Sequence, residues 1–282
     1  DEDVFCERVY SPAVDMENIM REKSIPLFAL ESREPITNFD FVTFTLQYEL
    51  SYTNILNILD LANIPILKEE RTLEDPFIMV GGPCAYNSEP LADFVDVVIL
   101  GEGEEVNLEV VNEYKEWKKN KTTREDFLYK ISSIEGVYIP SFYDVKYNED
   151  GTVQSVTPNR EGITKNPTKR IIKDVETVDY PEKLIVPYID TVHDRIVLEL
   201  FRGCTRGCRF CQAGMIYRPI REKSVKRLKE ILDKLVKNTG YDEISLSSLS
   251  TSDYSKLSEL TDYLVDEYAS NNIGISLPSL RL

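Results

Sequence analysis

Histidine is almost absent from this chain: His193 is the only one in 282 residues. That excludes His-rich metal sites and leaves no His pair to complete a four-ligand zinc centre beside cysteines. His193 reads as a residue of a connecting segment. Cysteine is scarce and odd in number, five in all, which excludes a disulfide framework and fits a reducing cytoplasm. Two of the five carry no chemistry on this reading: Cys84 as a small packing residue and Cys6 as incidental. No apolar run approaches the roughly 18 residues of a membrane span, and Asp1-Glu2-Asp3 has no signal-peptide layout. Positive charge is short overall, for a net charge of −16, so the surface as a whole is no nucleic-acid binder. Gly101-x-Gly103 lacks the third glycine of a dinucleotide fingerprint, and Glu102, Glu104 and Glu105 would repel a pyrophosphate.

What the chain does have is Phe201-Arg202-Gly203-Cys204-Thr205-Arg206-Gly207-Cys208-Arg209-Phe210-Cys211. Three cysteines fall within eight residues, spaced C-x3-C-x2-C, after the apolar run Ile196 to Phe201. Gly203 and Gly207 let a short loop wrap with several thiols pointing inward. Three thiolates without a nearby fourth ligand suit an iron–sulfur cluster with one iron left open. Zinc and plain reduced thiols are the competing readings. Around this loop the charge reverses. From Arg202 to Lys229 there are nine basic residues and one acid, Glu222. The strip either compensates a negative cluster or attracts an anionic substrate such as RNA, a nucleotide or an acidic protein.

Cys204, Cys208 and Cys211, with Phe210 just before the last, resemble the signature of radical S-adenosylmethionine (radical SAM) enzymes. The resemblance implies that the three cysteines hold a [4Fe-4S] cluster whose open iron chelates S-adenosylmethionine. An electron from the cluster then cleaves the sulfonium and releases a 5'-deoxyadenosyl radical. The fuller string through Gln212-Ala213-Gly214 resembles a branch with a cobalamin-binding-like domain ahead of the radical domain. A flavodoxin or ferredoxin is the implied reductant, RNA or protein the implied substrate, and no membrane is implied.

The length favours two units. Residues 1–119 alternate strands and helices. Strands are expected at 41–46, 77–80 and 95–100. Helices are expected at 15–23, with Met16, Ile19 and Met20 on one side, from Ser51, and at 104–119. Apolar strands between helices predict a parallel sheet covered on both faces, with ligands at the carboxyl ends of its strands. This region resembles the cobalamin-binding fold, which places Ser51, Gly81 and Gly82 around the cofactor's nucleotide tail. Gly81-Gly82 also reads as a plain tight turn. The Asp-x-His-x-x-Gly segment that ligates cobalt in that fold is missing. Either the ligand segment lies outside the chain, or the domain is a scaffold that has lost cobalamin, and the second is favoured.

Residues 120–190 read as a linker holding one short helix at 122–131 and a hairpin about Asn148-Glu149-Asp150-Gly151. Tyr180, Tyr188 and Ile189 are expected to pin it to a neighbour. Residues 191–282 read as the first part of a (β/α) partial barrel of the radical SAM type. Strands are expected at 195–200, 243–247 and 272–277, with helices opening at Ser224 and near Lys256. Less than half a barrel is present, and the resemblance implies a strand and helix ahead of residue 1, so the chain looks truncated at both ends. By resemblance, the loop after the second strand binds S-adenosylmethionine through Ser248, Ser250 and Asp253. Ser279 and Arg281 follow the third strand, and Arg281 suits a carboxylate. Phe210 completes this set. Gln212 and Tyr217 either pack the loop or touch adenine. No catalytic side chain is assigned.

The leading expectation is thus an α/β protein, with a Rossmann-like (cobalamin-binding-like) domain followed by part of a radical SAM enzyme. An electron-transfer or binding module with an iron–sulfur cluster and no radical chemistry is the alternative. A zinc-stabilised scaffold for partners is the third.

Overall fold

The computed structural model describes residues 3–120, 122–189 and 191–280. It divides into two compact units, Asp1–Ile171 and Ile172–Leu282.

The first unit opens with helix α1 (Val14–Lys23), strand β1 (Phe41–Thr45) and helix α2 (Tyr52–Leu61). Strands β2 (Phe77–Gly81) and β3 (Val97–Ile99) and helices α3 (Gly103–Asn120) and α4 (Arg124–Ile131) follow. Strand β4 (Val137–Tyr138) completes a sheet of order β1-β2-β3-β4, parallel except for β4. Phe41 pairs Phe77 and Met79 pairs Val97. Along β2 the side chains alternate between two cores. Ile78 and Val80 pack with Ile55, Ile58 and Leu59 of α2. Phe77 and Met79 pack with Val106 and Val110 of α3 and with Phe127 and Ile131 of α4. Burial on both faces is why β2 is apolar at every position from Phe77 to Val80.

Several details differ from the periodicity. In α1 only Met20 is buried, while Met16 and Ile19 are 41% and 50% exposed. This helix meets α2 through polar groups, Arg21 with Asp60 and Asn57, so its buried stripe is one residue wide. The extended stretch after Gly136 is broken by a 3-10 turn at Pro140–Phe142. Its first part joins the main sheet as β4. Its second part, β5 (Tyr143–Tyr147), pairs with β6 (Val153–Pro158) as the expected hairpin. Helix α4 opens on a capping box, Thr123 with Asp126, which satisfies two orphan amide groups.

In the second unit β7 (Ile196–Glu199) leads to β8 (Phe201–Arg202), the short helix α5 (Ala213–Ile216) and β9 (Arg221–Glu222). Helix α6 (Val225–Thr239), β10 (Glu243–Ser247), α7 (Leu257–Tyr268) and β11 (Gly274–Ser276) follow. The sheet order is β11-β10-β7, all parallel. Ile196, Leu198, Ile244 and Leu246 turn to one face and meet Leu228, Ile231, Leu232 and Leu235 of α6 and Leu260 and Leu264 of α7. Each of these leucines and isoleucines contributes about 1.5–3 kcal/mol by leaving water. On α6 the apolar positions recur every three or four residues, and Ser224 accepts from the Arg227 amide at its start. Gly240, at φ +71°, ends it in a left-handed cap. Of the residues expected to pin the connecting segment, Tyr180 does so, donating to the Val197 carbonyl. Tyr188 and Ile189 stand in solvent and pin nothing.

Candidate functional site

The three cysteines lie on a loop whose base is a two-residue antiparallel ladder, Phe201 with Glu222 and Arg202 with Arg221. The ladder's second strand, β9, has no apolar pattern and escapes sequence reading. Gly203 opens the loop at φ +100°, and a Cβ there would lie 2.3 Å from the Pro219 carbonyl oxygen and 2.6 Å from that of Tyr217. Glycine is therefore required twice, for its φ and for backbone-to-backbone contact. Gly207, at φ +67°, has open space where a side chain would be. The Cys211 amide donates to the Cys208 carbonyl at 3.0 Å, closing a turn between two of the cysteines. All three thiols are free, with Cys211 exposed and Cys204 and Cys208 half-buried. Among the described residues no three His, Cys, Asp or Glu side chains converge closely enough to hold a metal ion. The donor set itself, three unpaired thiols on one accessible loop, suits a cluster that draws its own ligands together on binding. Phe210 stands 93% exposed beside Cys211.

A second loop follows β10. The Ser248 and Thr251 hydroxyls lie 3.0 Å apart, and the Ser250 amide donates to Ser248 Oγ at 3.3 Å. Ser250 is 2% exposed, and its hydroxyl has no hydrogen-bond partner. A buried hydroxyl without a partner costs free energy. The Thr251 amide donates to the Ser279 carbonyl at 3.2 Å, so the loops after β10 and β11 meet. Asp253 takes the guanidinium of Arg206: Nε donates to Oδ2 at 2.7 Å, and the other carboxylate oxygen accepts a second bond. Through this fork the cysteine loop and the β10 loop are joined. The carboxylate raises the Arg206 pKa, first by hydrogen bonding and then by charge. Ser248, Ser250, Asp253 and Ser279 are thus brought together, and Arg206 joins them. Arg281 lies outside the described residues.

Between β7 and this site sits a buried ion group that the sequence does not reveal. Lys223 is 1% exposed and pairs with Glu199, which also accepts from Arg202 Nε at 3.0 Å. Burial alone would raise the Glu199 carboxyl. Lys223 and Arg202 outweigh it and hold the pKa below its ordinary 4.5. Tyr254 stacks on Phe201 and donates to the Lys223 carbonyl at 2.8 Å, and burial pushes its hydroxyl up to about 12. A cavity of about 430 Å³ opens nearby, lined by Glu176, Glu222, Ser224, Tyr254, Ser255 and Glu259 among others. Its lining includes none of the three clustered cysteines and none of Ser248, Ser250 and Ser279.

In the first unit, Gly81, Gly82 and Ser51 lie at or beyond the carboxyl ends of β2 and β1. Ser51 donates its hydroxyl to the Tyr48 carbonyl at 2.7 Å. Gly82, at φ +96°, has the Leu46 backbone 3.0 Å from where a Cβ would stand, so its close approach is to the chain itself. At Gly81 the nearest atom to such a Cβ is 3.7 Å away. Tyr52 ties these turns together, donating to the Cys84 and Asn87 carbonyls. At Gly101 a Cβ would lie 2.1 Å from the Arg170 carbonyl oxygen, and the Arg170 side chain pairs with Glu105 and Glu109. Of the three acids that would repel a phosphate, Glu105 is held by the chain's own Arg170. No sequence signal places Arg170 there.

Residues 1–140 match the family described as radical SAM proteins, N-terminal, and residues 198–282 match the radical SAM superfamily. The uncharacterized protein MJ0966 of Methanocaldococcus jannaschii is 31% identical over 265 residues, which cover 93% of this chain and 49% of that protein. The chain thus spans about half the length of this curated relative. Solved structures of the radical S-adenosylmethionine methyltransferase TsrM from Kitasatospora setae also align over 93% of the chain. The form with cobalamin and a [4Fe-4S] cluster bound gives a TM-score of 0.50 at 12% identity and is covered over 47% of its length. The form with tryptophan substrate and the analogue aza-SAM gives 0.49 at 13% identity, with 46% covered. Identity this low carries the fold and nothing finer. Matched in both of its units, the chain belongs to the radical SAM superfamily.

Proposed function

We propose that Cys204, Cys208 and Cys211 hold a [4Fe-4S] cluster and that the protein acts as a radical SAM enzyme on an organic substrate. The observation that carries this is the pairing of a free three-thiol loop with the hydroxyl-rich loop after β10, tied by Arg206 and Asp253. A cluster held by Cys204, Cys208 and Cys211 would supply the one electron that cleaves S-adenosylmethionine to methionine and a 5'-deoxyadenosyl radical. The chain's own part is to bind and orient. Ser248, Ser250 and Ser279 offer hydroxyls and carbonyls to the amino and ribose groups of the nucleotide, with Ser250 Oγ the donor left without a partner. Phe210, exposed beside the third cysteine, offers a flat apolar face to adenine. Arg281 is assigned to the carboxylate by its fork geometry. A flavodoxin- or ferredoxin-like protein is the reductant.

The first unit serves as a scaffold on this reading. Residues 1–171 contain no histidine to bind cobalt, and Ser51 and Gly82 are committed to neighbouring backbone. Cobalamin mixed with the protein should be lost on gel filtration, and cobalamin that elutes with it at one equivalent would overturn the scaffold assignment.

The enzyme reading is tested by anaerobic reconstitution with iron and sulfide, reduction with dithionite, addition of S-adenosylmethionine, and chromatography for 5'-deoxyadenosine. Formation that depends on Cys204, Cys208 and Cys211 supports it. A stable cluster without any 5'-deoxyadenosine supports an electron-transfer module instead, and zinc in place of iron supports a scaffold.

A further inference from the structure

We propose that Arg206 is a positioning residue, which through its two-bonded fork on Asp253 holds the cysteine loop against the turn after β10 and so sets how firmly the loop retains its cluster. This inference rests on the assignment of the three cysteines as cluster ligands.

The two partners come from very different surroundings. Asp253 ends a 3-10 turn, Thr251–Asp253, whose first residue is fully buried. Its amide donates to the Ser250 carbonyl at 2.9 Å, and the Thr251 amide reaches Ser279. The carboxylate is 17% exposed and stands on a fixed platform. Arg206 is half exposed and lies midway between Cys204 and Cys208, beside Gly207, where added atoms would meet nothing. The base of the loop is fixed by the β8–β9 ladder and by Gly203 against residues 217–219. At the cysteine end the Arg206 fork ties the loop to the rest of the unit.

An exposed ion pair contributes little to global stability. Its consequence here is local. Fixing the guanidinium fixes the backbone between two thiols, and a planar fork does this where a lysine point charge does not. Asp253 on this account acts through Arg206 and does not itself touch the nucleotide. Groups that orient metal ligands from outside typically alter metal affinity about 10–100-fold.

The test has two arms, both on the whole chain. In the metal-free protein, amide hydrogen exchange is followed for the peptide spanning 203–211 in wild type, D253N, R206K and the reversed pair R206D/D253R. D253N and R206K should exchange faster in this peptide alone, with unchanged thermal midpoint, and the reversed pair should recover protection. Exchange equal to wild type in D253N, or no recovery in the reversed pair, overturns the proposal. In the reconstituted protein, iron loss to a chelator should be about 10-fold faster in D253N, and an equal rate overturns the retention half of the proposal. If the wild type takes up no iron, the cluster assignment fails and the retention half fails with it, while the exchange arm still decides whether the fork holds the loop.

Discussion

The carbonyl oxygen of Pro219 occupies the place where a side chain on Gly203 would begin, 2.3 Å from an ideal Cβ. This contact makes the cysteine loop a closed unit. Gly203→Ala must shift backbone, at about 1–3 kcal/mol for the overlap and about 1–3 more for the strained φ. Gly207→Ala meets no atom and carries only the left-handed penalty of about 1–2 kcal/mol. Denaturant unfolding should rank Gly203→Ala well below Gly207→Ala, and iron uptake should follow the same order.

Lys223 is predicted to matter through Glu199. Lys223→Met leaves a half-buried carboxylate beside Arg202 alone, and truncating one partner of a buried pair costs about 3–5 kcal/mol. Adding Glu199→Gln should recover part of that loss. Chemical denaturation of the two single variants and the double variant closes the cycle.

The same pair sets a pH dependence. Glu199 has a folded pKa below its ordinary 4.5. Its contribution is therefore complete above that value and is lost as pH falls through the folded pKa. The stability gap between wild type and Glu199→Gln should be constant near neutrality and shrink on acidification below about pH 4.5. A gap that widens in acid would contradict the assignment.

In the first unit, Arg71 is fully buried, donates to Asp96 at 2.9 Å and also serves the Pro65, Ile66 and Phe94 carbonyls. Arg71→Met leaves Asp96 with Arg124 at 3.2 Å and the Ile78 amide at 2.8 Å but strands three carbonyls, so a loss of about 1–3 kcal/mol for each orphaned carbonyl is expected. Near-ultraviolet circular dichroism should report it, because Trp117 packs on Phe77.

The strands and long helices were legible because their apolar spacing follows burial. Phe77 to Val80 is apolar throughout since both faces are covered, and α6 shows its stripe at Leu228, Ile231, Leu232 and Leu235. The cysteine spacing and its glycines also declared themselves. Hidden from the sequence were the polar partnerships made across long separations: Arg206 with Asp253, Lys223 with Glu199, Arg170 with Glu105. A charged residue carries no period, and its partner is chosen by the fold. Met16 and Ile19 show the opposite failure, apolar residues at helical spacing that the fold leaves in solvent.

The proposed function requires that the three cysteines hold a cluster with an iron open to S-adenosylmethionine. Electron paramagnetic resonance of the anaerobically reconstituted, dithionite-reduced protein tests it most directly, recorded with and without the nucleotide. The expected result is a reduced [4Fe-4S] signal that changes when S-adenosylmethionine is added and is absent from the Cys204→Ala, Cys208→Ala, Cys211→Ala triple variant. A cluster signal indifferent to S-adenosylmethionine, or a signal that survives in the triple variant, would contradict it.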